Sequence, residues 1–336
     1  MWHLQKRFNR SLWFAIPLSL RIRTCVPPDM DVVTLVGFCL IFLIAAVITG
    51  LGTSSICLSS WFVAMPLSLC VFSYYDEAFG LAECVFLTAS VDVVTNGSLV
   101  IREVFFNSKD KHVLKEIGLL SAALCVVVSG SFSHWMVSSF QAQMESVITT
   151  FIGPAVMVCS IPFIRKARNK PGLFAPKKSE TESLLGGQSG PTEEQKRANE
   201  EWSVIKSVPR SKLIIYFCCV TWSSFMASLV VLSGGMFAAM ILNLLFNVRT
   251  RTASSTANLI ATANILPVLI MWTRYVDFSN QTLLFGLGFM LPCSLVAVLF
   301  TAEVTSRLGE QRINMAIAGS VLFVGTVATV FKRIYL

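Results

Sequence analysis

Two short runs of small residues interrupt an otherwise apolar sequence: Gly52-Thr53-Ser54-Ser55 and Ser233-Gly234-Gly235. A helix that starts inside an apolar medium presents unpaired N–H groups and the positive end of its dipole. Such an end holds an anion without needing a desolvated lysine. Both runs are therefore candidate substrate-binding seats for an anion. The structural alternative is that small residues let neighbouring helices pack closely.

Two carboxylates fall in one apolar block, Phe79 to Ile101: Glu83 and Asp92. An ionised carboxylate at the centre of a membrane helix costs about 2.5–3.5 kcal/mol on insertion scales, so it is expected to face an interior cavity. At 100° per residue the two side chains leave opposite faces of a helix, whereas Asp92 and Asn96 share one. Either carboxylate is a candidate for carrying a coupling proton. The alternative puts Glu83 near the membrane surface and gives Asp92 a structural hydrogen bond. In the second half, Asn258 and Thr262, with Asn264, are candidate hydrogen-bonding partners of a substrate oxygen, or else helix–helix contacts. His134 beside Trp135 suits an interfacial anchor. Arg249 and Arg251 can steer anions or set topology.

Catalytic chemistry has little to work with. The chain lacks H-E-x-x-H, G-x-S-x-G, a Walker loop and C-x-x-C-H, and it has only three histidines. None of its ten cysteines forms a C-x-x-C pair, and no His stands at zinc spacing. No enzyme activity, metal site or cofactor is expected. The cysteines read as small apolar helix residues.

These residues must be positioned by membrane helices. The chain has 336 residues, 54% hydrophobic and 14% charged, against about 25% charged in soluble domains. Apolar blocks run Val32–Leu51, Ile56–Phe72, Phe79–Ile101, Ile117–Val137 and Val147–Ile164. A second set runs Leu213–Leu232, Met236–Phe246, Ala253–Trp272, Leu283–Phe300 and Ile313–Val330. Most approach the ~20 residues that cross the hydrocarbon, while the second block of each set is short. Thr88-Ala89-Ser90 lies where Thr262-Ala263-Asn264 lies in the other set, and a basic pair closes each: Arg165-Lys166 and Lys332-Arg333. The expected fold is all-α and polytopic: two homologous helical repeats, about eight full crossings plus two short or re-entrant segments.

Between the sets, composition changes. Residues 165–212 hold eleven Lys or Arg and six Glu, with Gly186-Gly187, Pro171, Pro176 and Pro191. This reads as a flexible cytoplasmic linker. The net charge of +8 follows loops between apolar blocks, with no basic stripe interleaved with aromatics, so lipid headgroups rather than nucleic acid are the expected contact. Two topologies compete. If the short blocks re-enter and return, both termini and the linker are cytoplasmic, and more of the 27 Lys and Arg lie inside. If every block spans, the halves are inverted and the termini face away from the linker. The charge count favours the first.

The run Ser233-Gly234-Gly235-Met236, a short apolar helix, and Arg249-Thr250-Arg251-Thr252-Ala253-Ser254-Ser255-Thr256-Ala257 resembles the TauE/SafE sulfite-exporter family. The polar loop Tyr275-Val276-Asp277-Phe278 and the Gly-rich Phe285-Gly286-Leu287-Gly288 follow in the family's order. The match is clearest over about residues 213–333, and weaker over 33–166, where the Gly cluster is reduced to Gly50-Leu51-Gly52-Thr53-Ser54-Ser55. The resemblance implies a transporter of sulfite, sulfonates or related small oxyanions. An anion channel, or a non-transporting receptor or scaffold, is the alternative.

The resulting division is a basic N-terminal segment (1–31), a first membrane repeat (32–166), a linker (167–211) and a second repeat (212–336). Expected partners are a small anion and the bilayer. The linker also carries Glu180-Thr181-Glu182-Ser183-Leu184-Leu185, which fits an acidic dileucine signal for a trafficking adaptor. Such a signal would place the protein in endosomal or lysosomal membranes, with the plasma membrane as the default.

Overall fold

A computed structural model describes residues 32–76, 79–103, 116–135, 208–230, 234–246 and 250–307, with Leu114, Ser139, Val248, Gly319, Leu322 and Thr326. The linker core, Ser233, Arg249 and both termini lie outside the described residues. All described elements are helical. The first half contributes α1 (Val32–Ile56), a 3-10 turn (Ser60–Phe62), α2 (Ala64–Tyr75), α3 (Leu81–Ile101) and α4 (Glu116–Trp135). The second contributes α5 (Arg210–Val230), α6 (Gly235–Phe246), α7 (Thr250–Trp272) and α8 (Gln281–Arg307).

Five of these helices, α1, α3, α4, α7 and α8, are long and apolar enough to cross a membrane. Their outward faces are apolar too. Val36, Leu40, Leu43, Ile44 and Val47 of α1 are exposed, while Phe38, Phe42, Ala45 and Ala46 of the same helix are buried. Leu119, Leu120 and Val127 of α4, and Val296 and Phe300 of α8, are likewise exposed. Apolar surface of this extent is stable only against lipid, so the chain is an integral, multi-pass membrane protein. At 12 residues each, α2 and α6 are about 18 Å long and cannot cross alone.

Contacts fix the helix directions. At one end of the bundle Glu83 Oε1 accepts from the Asp277 N–H at 3.4 Å, Phe86 meets Phe278, and Phe72 packs between Phe42 and Phe79. The C-terminus of α2, the N-terminus of α3 and the α7–α8 turn thus lie together, beside the first half of α1. At the other end Arg102 pairs with Glu303 at 3.3 Å, the Leu114 N–H donates to Thr256 Oγ1, and Lys212 Nζ donates to the Leu245 carbonyl. That end gathers the C-termini of α3, α6 and α8 with the N-terminal parts of α4, α5 and α7. So α1 and α5 run in opposite senses, and α2 and α6 each turn back along the helix before them.

This is not the arrangement the charge count favours. There the short segment returns to the face it came from; here α2 starts at mid-depth and finishes at the end of the bundle where α1 begins. The basic N-terminal segment tipped that count, although charge bias constrains loops near spans rather than whole termini.

Between α4 and α5 the packing is polar and close. Ser121 Oγ lies 3.0 Å from Tyr216 Oη, Ser224 Oγ donates to Cys125 Sγ, and Ser228 Oγ donates to the Ser129 carbonyl. The paired positions rise together, so α4 and α5 are parallel. Hydroxyls on small side chains let the two backbones approach, the usual solution where lipid supplies no hydrophobic drive.

Candidate functional site

Each half contains a reversal in which a long helix ends and a short one begins. The first is built by a Schellman-type ending of α1. The Leu58 N–H bonds the Gly52 carbonyl and the Cys57 N–H bonds the Thr53 carbonyl, both at 3.1 Å. Cys57, at the position that usually needs glycine, is left-handed with φ 57°. Gly52 is required for a different reason: a Cβ there would lie 2.8 Å from Leu58 Cβ, because the chain folds back over it.

Gly52, Thr53, Ser54 and Ser55 therefore lie in the final turns of α1, not at the start of a helix. Their carbonyl end of the dipole is the wrong end for an anion. Thr53 Oγ1 donates to the Leu58 carbonyl at 2.8 Å and Ser54 Oγ to the Leu51 carbonyl at 3.2 Å. The N–H groups of this break come later. Ser59 caps the 3-10 turn, its Oγ accepting from the Trp61 N–H. The Ser60 N–H donates to Asp92 Oδ1 at 2.6 Å, and Ser59 Oγ donates to Asp92 Oδ2.

The second reversal ends at Gly234, with φ +73°, whose carbonyl accepts from Ala238 N–H and opens α6. Gly234 and Gly235 do sit at an N-terminal helix end. A Cβ on Gly234 would lie 2.1 Å from Ser223 Oγ and 3.0 Å from Asn264 Nδ2. A Cβ on Gly235 would lie 2.2 Å from Cys57 Sγ and 2.8 Å from Ala261 Cβ. The two reversals are thus in contact. Each lends a side chain to the other half's core: Cys57 sits among Tyr216, Leu242 and Ile260, and Met236 among Leu58, Met65 and Leu87. The contact lies within the bundle: Ala261, beside Gly235, is the twelfth of the 23 residues of α7, and Asn96, which accepts from the Cys57 thiol, is the sixteenth of the 21 of α3.

An asparagine attends each reversal. Asn96 accepts from the Cys57 thiol at 3.4 Å and donates to the Asp92 carbonyl at 2.9 Å. Asn264 lies beside Gly234.

The remaining predicted residues are placed as follows. Glu83 is at the end of α3, one oxygen accepting from the Gly80 N–H at 3.0 Å and the other from Asp277. It caps a helix, away from the reversals. Asp92 is fully buried beside the first reversal. Asn258 is buried on α7, and its Oδ1 has no hydrogen-bond partner among the described residues. Thr262 Oγ1 donates to the Asn258 carbonyl at 2.8 Å, and its methyl group faces Gly97 of α3. Among the described residues no group of three His, Cys, Asp or Glu could hold a metal. Sequence reasoning missed Cys57, Ser59, Ser60 and Ser223. The Ser59-Ser60 pair just before Trp61 was the available signal, since serine before an apolar run marks a helix start.

No curated protein and no solved structure gives a significant match to this chain. The profile of the family described as Sulfite exporter TauE/SafE matches residues 33–328, which takes in both reversals and every described helix but the first residue of α1. That match spans nearly the whole chain, and the chain belongs to the sulfite exporter TauE/SafE family.

Proposed function

We propose that this protein moves small oxyanions, with sulfite and sulfonates as first candidates, by alternating access between two inverted helical repeats, residues 32–166 and 212–336. The observation that carries the proposal is the contact, inside the bundle, of Cys57, where α1 ends, with Gly235, where α6 begins. Inverted repeats that meet at broken helices give a site each half can expose in turn. The substrate seat is the start of α6, at Gly234 and Gly235, which Ser233 precedes in the sequence, with the Asn258 side chain of α7 as a partner. The end of the bundle that gathers Arg102, Lys212 and the linker boundary is the cytoplasmic one, in keeping with the positive-inside rule.

Reconstituted protein is expected to move sulfite or a sulfonate down its gradient in liposomes. Uptake of a cation or a neutral sugar in the same panel, with every anion excluded, would end this reading.

The linker signal at Glu180, Leu184 and Leu185 is a separate proposal about location. An adaptor pocket accepts two leucines from an extended chain while a basic patch meets the acid. Leu184→Ala with Leu185→Ala is expected to shift the protein from internal membranes to the cell surface. An unchanged distribution by microscopy rejects the signal.

A further inference from the structure

Three buried side-chain oxygens lack a hydrogen-bond partner among the described residues on one side of the reversal contact: Ser254 Oγ and Asn258 Oδ1 of α7, and Glu103 Oε2 just past α3. Ser254 is 3% exposed and Asn258 4%, and the two stand one turn apart on a single helix face. Thr256 and Thr262 of the same helix donate to the carbonyls four residues before them, the ordinary way a helix satisfies a hydroxyl. Ser254 does not. Unpaired polar groups in adjacent buried turns imply something between the helices that satisfies them.

Helix packing brings the three together. α3 and α7 are antiparallel, with the Thr262 methyl against Gly97. Towards the end marked by Arg102–Glu303, Glu103 is about 9 Å beyond Gly97 at 1.5 Å per residue, while Asn258 and Ser254 are about 6 and 12 Å beyond Thr262. Glu103 thus falls between them in depth. The faces agree as well. Glu103 comes eleven residues after Asp92 and seven after Asn96, and at 100° per residue both steps return to within about 20° of one direction. That is the α3 face against the first reversal, where Asn96 accepts from the Cys57 thiol. On α7, Ala261 points at Gly235 and Thr262 at Gly97, and Asn258 and Ser254 lie in the arc between. All three look into the crevice bounded by α3, α7 and the Cys57–Gly235 contact.

The groups there are acceptors. A carboxylate and an amide oxygen only accept, and a hydroxyl oxygen has lone pairs to offer. Beside Cys57, α1 ends at Ile56 and presents the negative end of its dipole, while the N–H groups that open α6 point the other way. Among the described residues the one ion pair is Arg102–Glu303, so Glu103 has no cationic side chain there. One carboxylate with two neutral oxygens balances a single positive charge, whereas calcium takes six to eight oxygens. Transporters built on broken helices hold a cation at the C-terminal end of a half-helix and an anionic substrate at an N-terminal end.

We infer that Glu103, Asn258 and Ser254 form a sodium site that supplies the coupling ion of the transport cycle. The site rests on these side chains; the word coupling rests on the anion-transport reading. Gly235 lies against Ala257 and Ala261, which bracket Asn258 in depth. The Asn258 oxygen therefore serves the ion and leaves its amide nitrogen for the substrate.

Purified protein in detergent is melted in rising sodium chloride, with choline chloride holding the ionic strength constant. The melting temperature is expected to climb with sodium and level off, as for a single site that only the folded state offers. Ser254→Ala removes one ligand and is expected to raise the half-saturating sodium concentration about tenfold. Glu103→Gln is expected to abolish the response, and Asn258→Ala replaces either variant that does not fold. A melting temperature indifferent to sodium in the unaltered protein overturns the site, since water would then fill the crevice. So does a response undiminished in the variants, which would put the ion elsewhere. In liposomes, sulfite flux is expected to follow an imposed sodium gradient, and flux indifferent to sodium overturns the coupling. Failure of the unaltered protein to move any anion sinks the transport reading and leaves the melting result standing.

Discussion

Gly235→Ala is expected to abolish anion uptake in liposomes while leaving the protein in the membrane. The added methyl would lie 2.2 Å from Cys57 Sγ and 2.8 Å from Ala261 Cβ. Neither neighbour can move far: Cys57 is fully buried in a left-handed turn, and Ala261 is rigid on α7. Overpacking of this kind costs about 1–3 kcal/mol. Alanine gains up to about 1 kcal/mol of helix propensity over glycine, which does not offset it. The strain falls on the contact between the two halves, which the proposed alternating access would have to break and remake. Insertion depends on the apolar content of the long helices, and that is unchanged. Trimming the opposing side chain separates this from general misfolding. Cys57→Ala in the Gly235→Ala background is expected to restore part of the transport, and only part, since Ala261 still crowds the methyl. Full activity of Gly235→Ala alone would mean that the contact plays no part in the cycle.

How far the sequence led depends on what each residue reports. Long apolar blocks report lipid, and α3, α7 and α8 fall where those blocks lie. Boundaries at the reversals were harder. Gly50 and Gly52 look like breakers, yet both are helical. A Cβ on Gly50 would meet Thr301 Oγ1 at 2.9 Å and the Ala297 backbone at 3.0 Å, so this glycine serves close packing of α1 on α8. Sequence alone does not separate a glycine that ends a helix from one that lets another helix in. The reversal itself falls on Cys57, a residue with no turn propensity that is held left-handed by two backbone hydrogen bonds and the surrounding core. Such tertiary override leaves no local mark. At the second reversal local and tertiary demands agree, because Gly234 needs both the positive φ and the space. That one was legible. The shared helical face of Asp92 and Asn96 was legible as well, since it follows from a spacing of four. What Asp92 touches was not, because Ser59 and Ser60 lie more than thirty residues away.

Asp92→Ala is expected to be the most destabilising single change at the reversals, and Asp92→Asn nearly neutral. The two substitutions remove the same charge but leave different debts. Hydrogen bonds to a charged acceptor contribute about 1.5–3 kcal/mol each, and an orphaned buried donor costs about 1–3 kcal/mol. Alanine orphans the Ser60 N–H and deprives the Ser59 hydroxyl of its acceptor at a site without solvent exposure. Against that stands relief of the buried carboxylate's desolvation, a cost of several kcal/mol for an unpaired ion. Asparagine collects the relief too, and its Oδ1 still accepts from Ser60. The difference between the variants therefore isolates the lost acceptor, and about 2–4 kcal/mol is expected, at the upper end of polar contacts within membranes. Unfolding in mild detergent followed by circular dichroism reads this directly, with Asp92→Ala melting well below both Asp92→Asn and the unaltered protein. The fault should be local. With the Ser59 cap slack, the turn Ser60–Phe62 no longer directs the chain into α2, and Phe72 loses its place between Phe42 and Phe79. Equal melting temperatures for the two variants would mean that water reaches Ser59 and Ser60, and that the first reversal is wet.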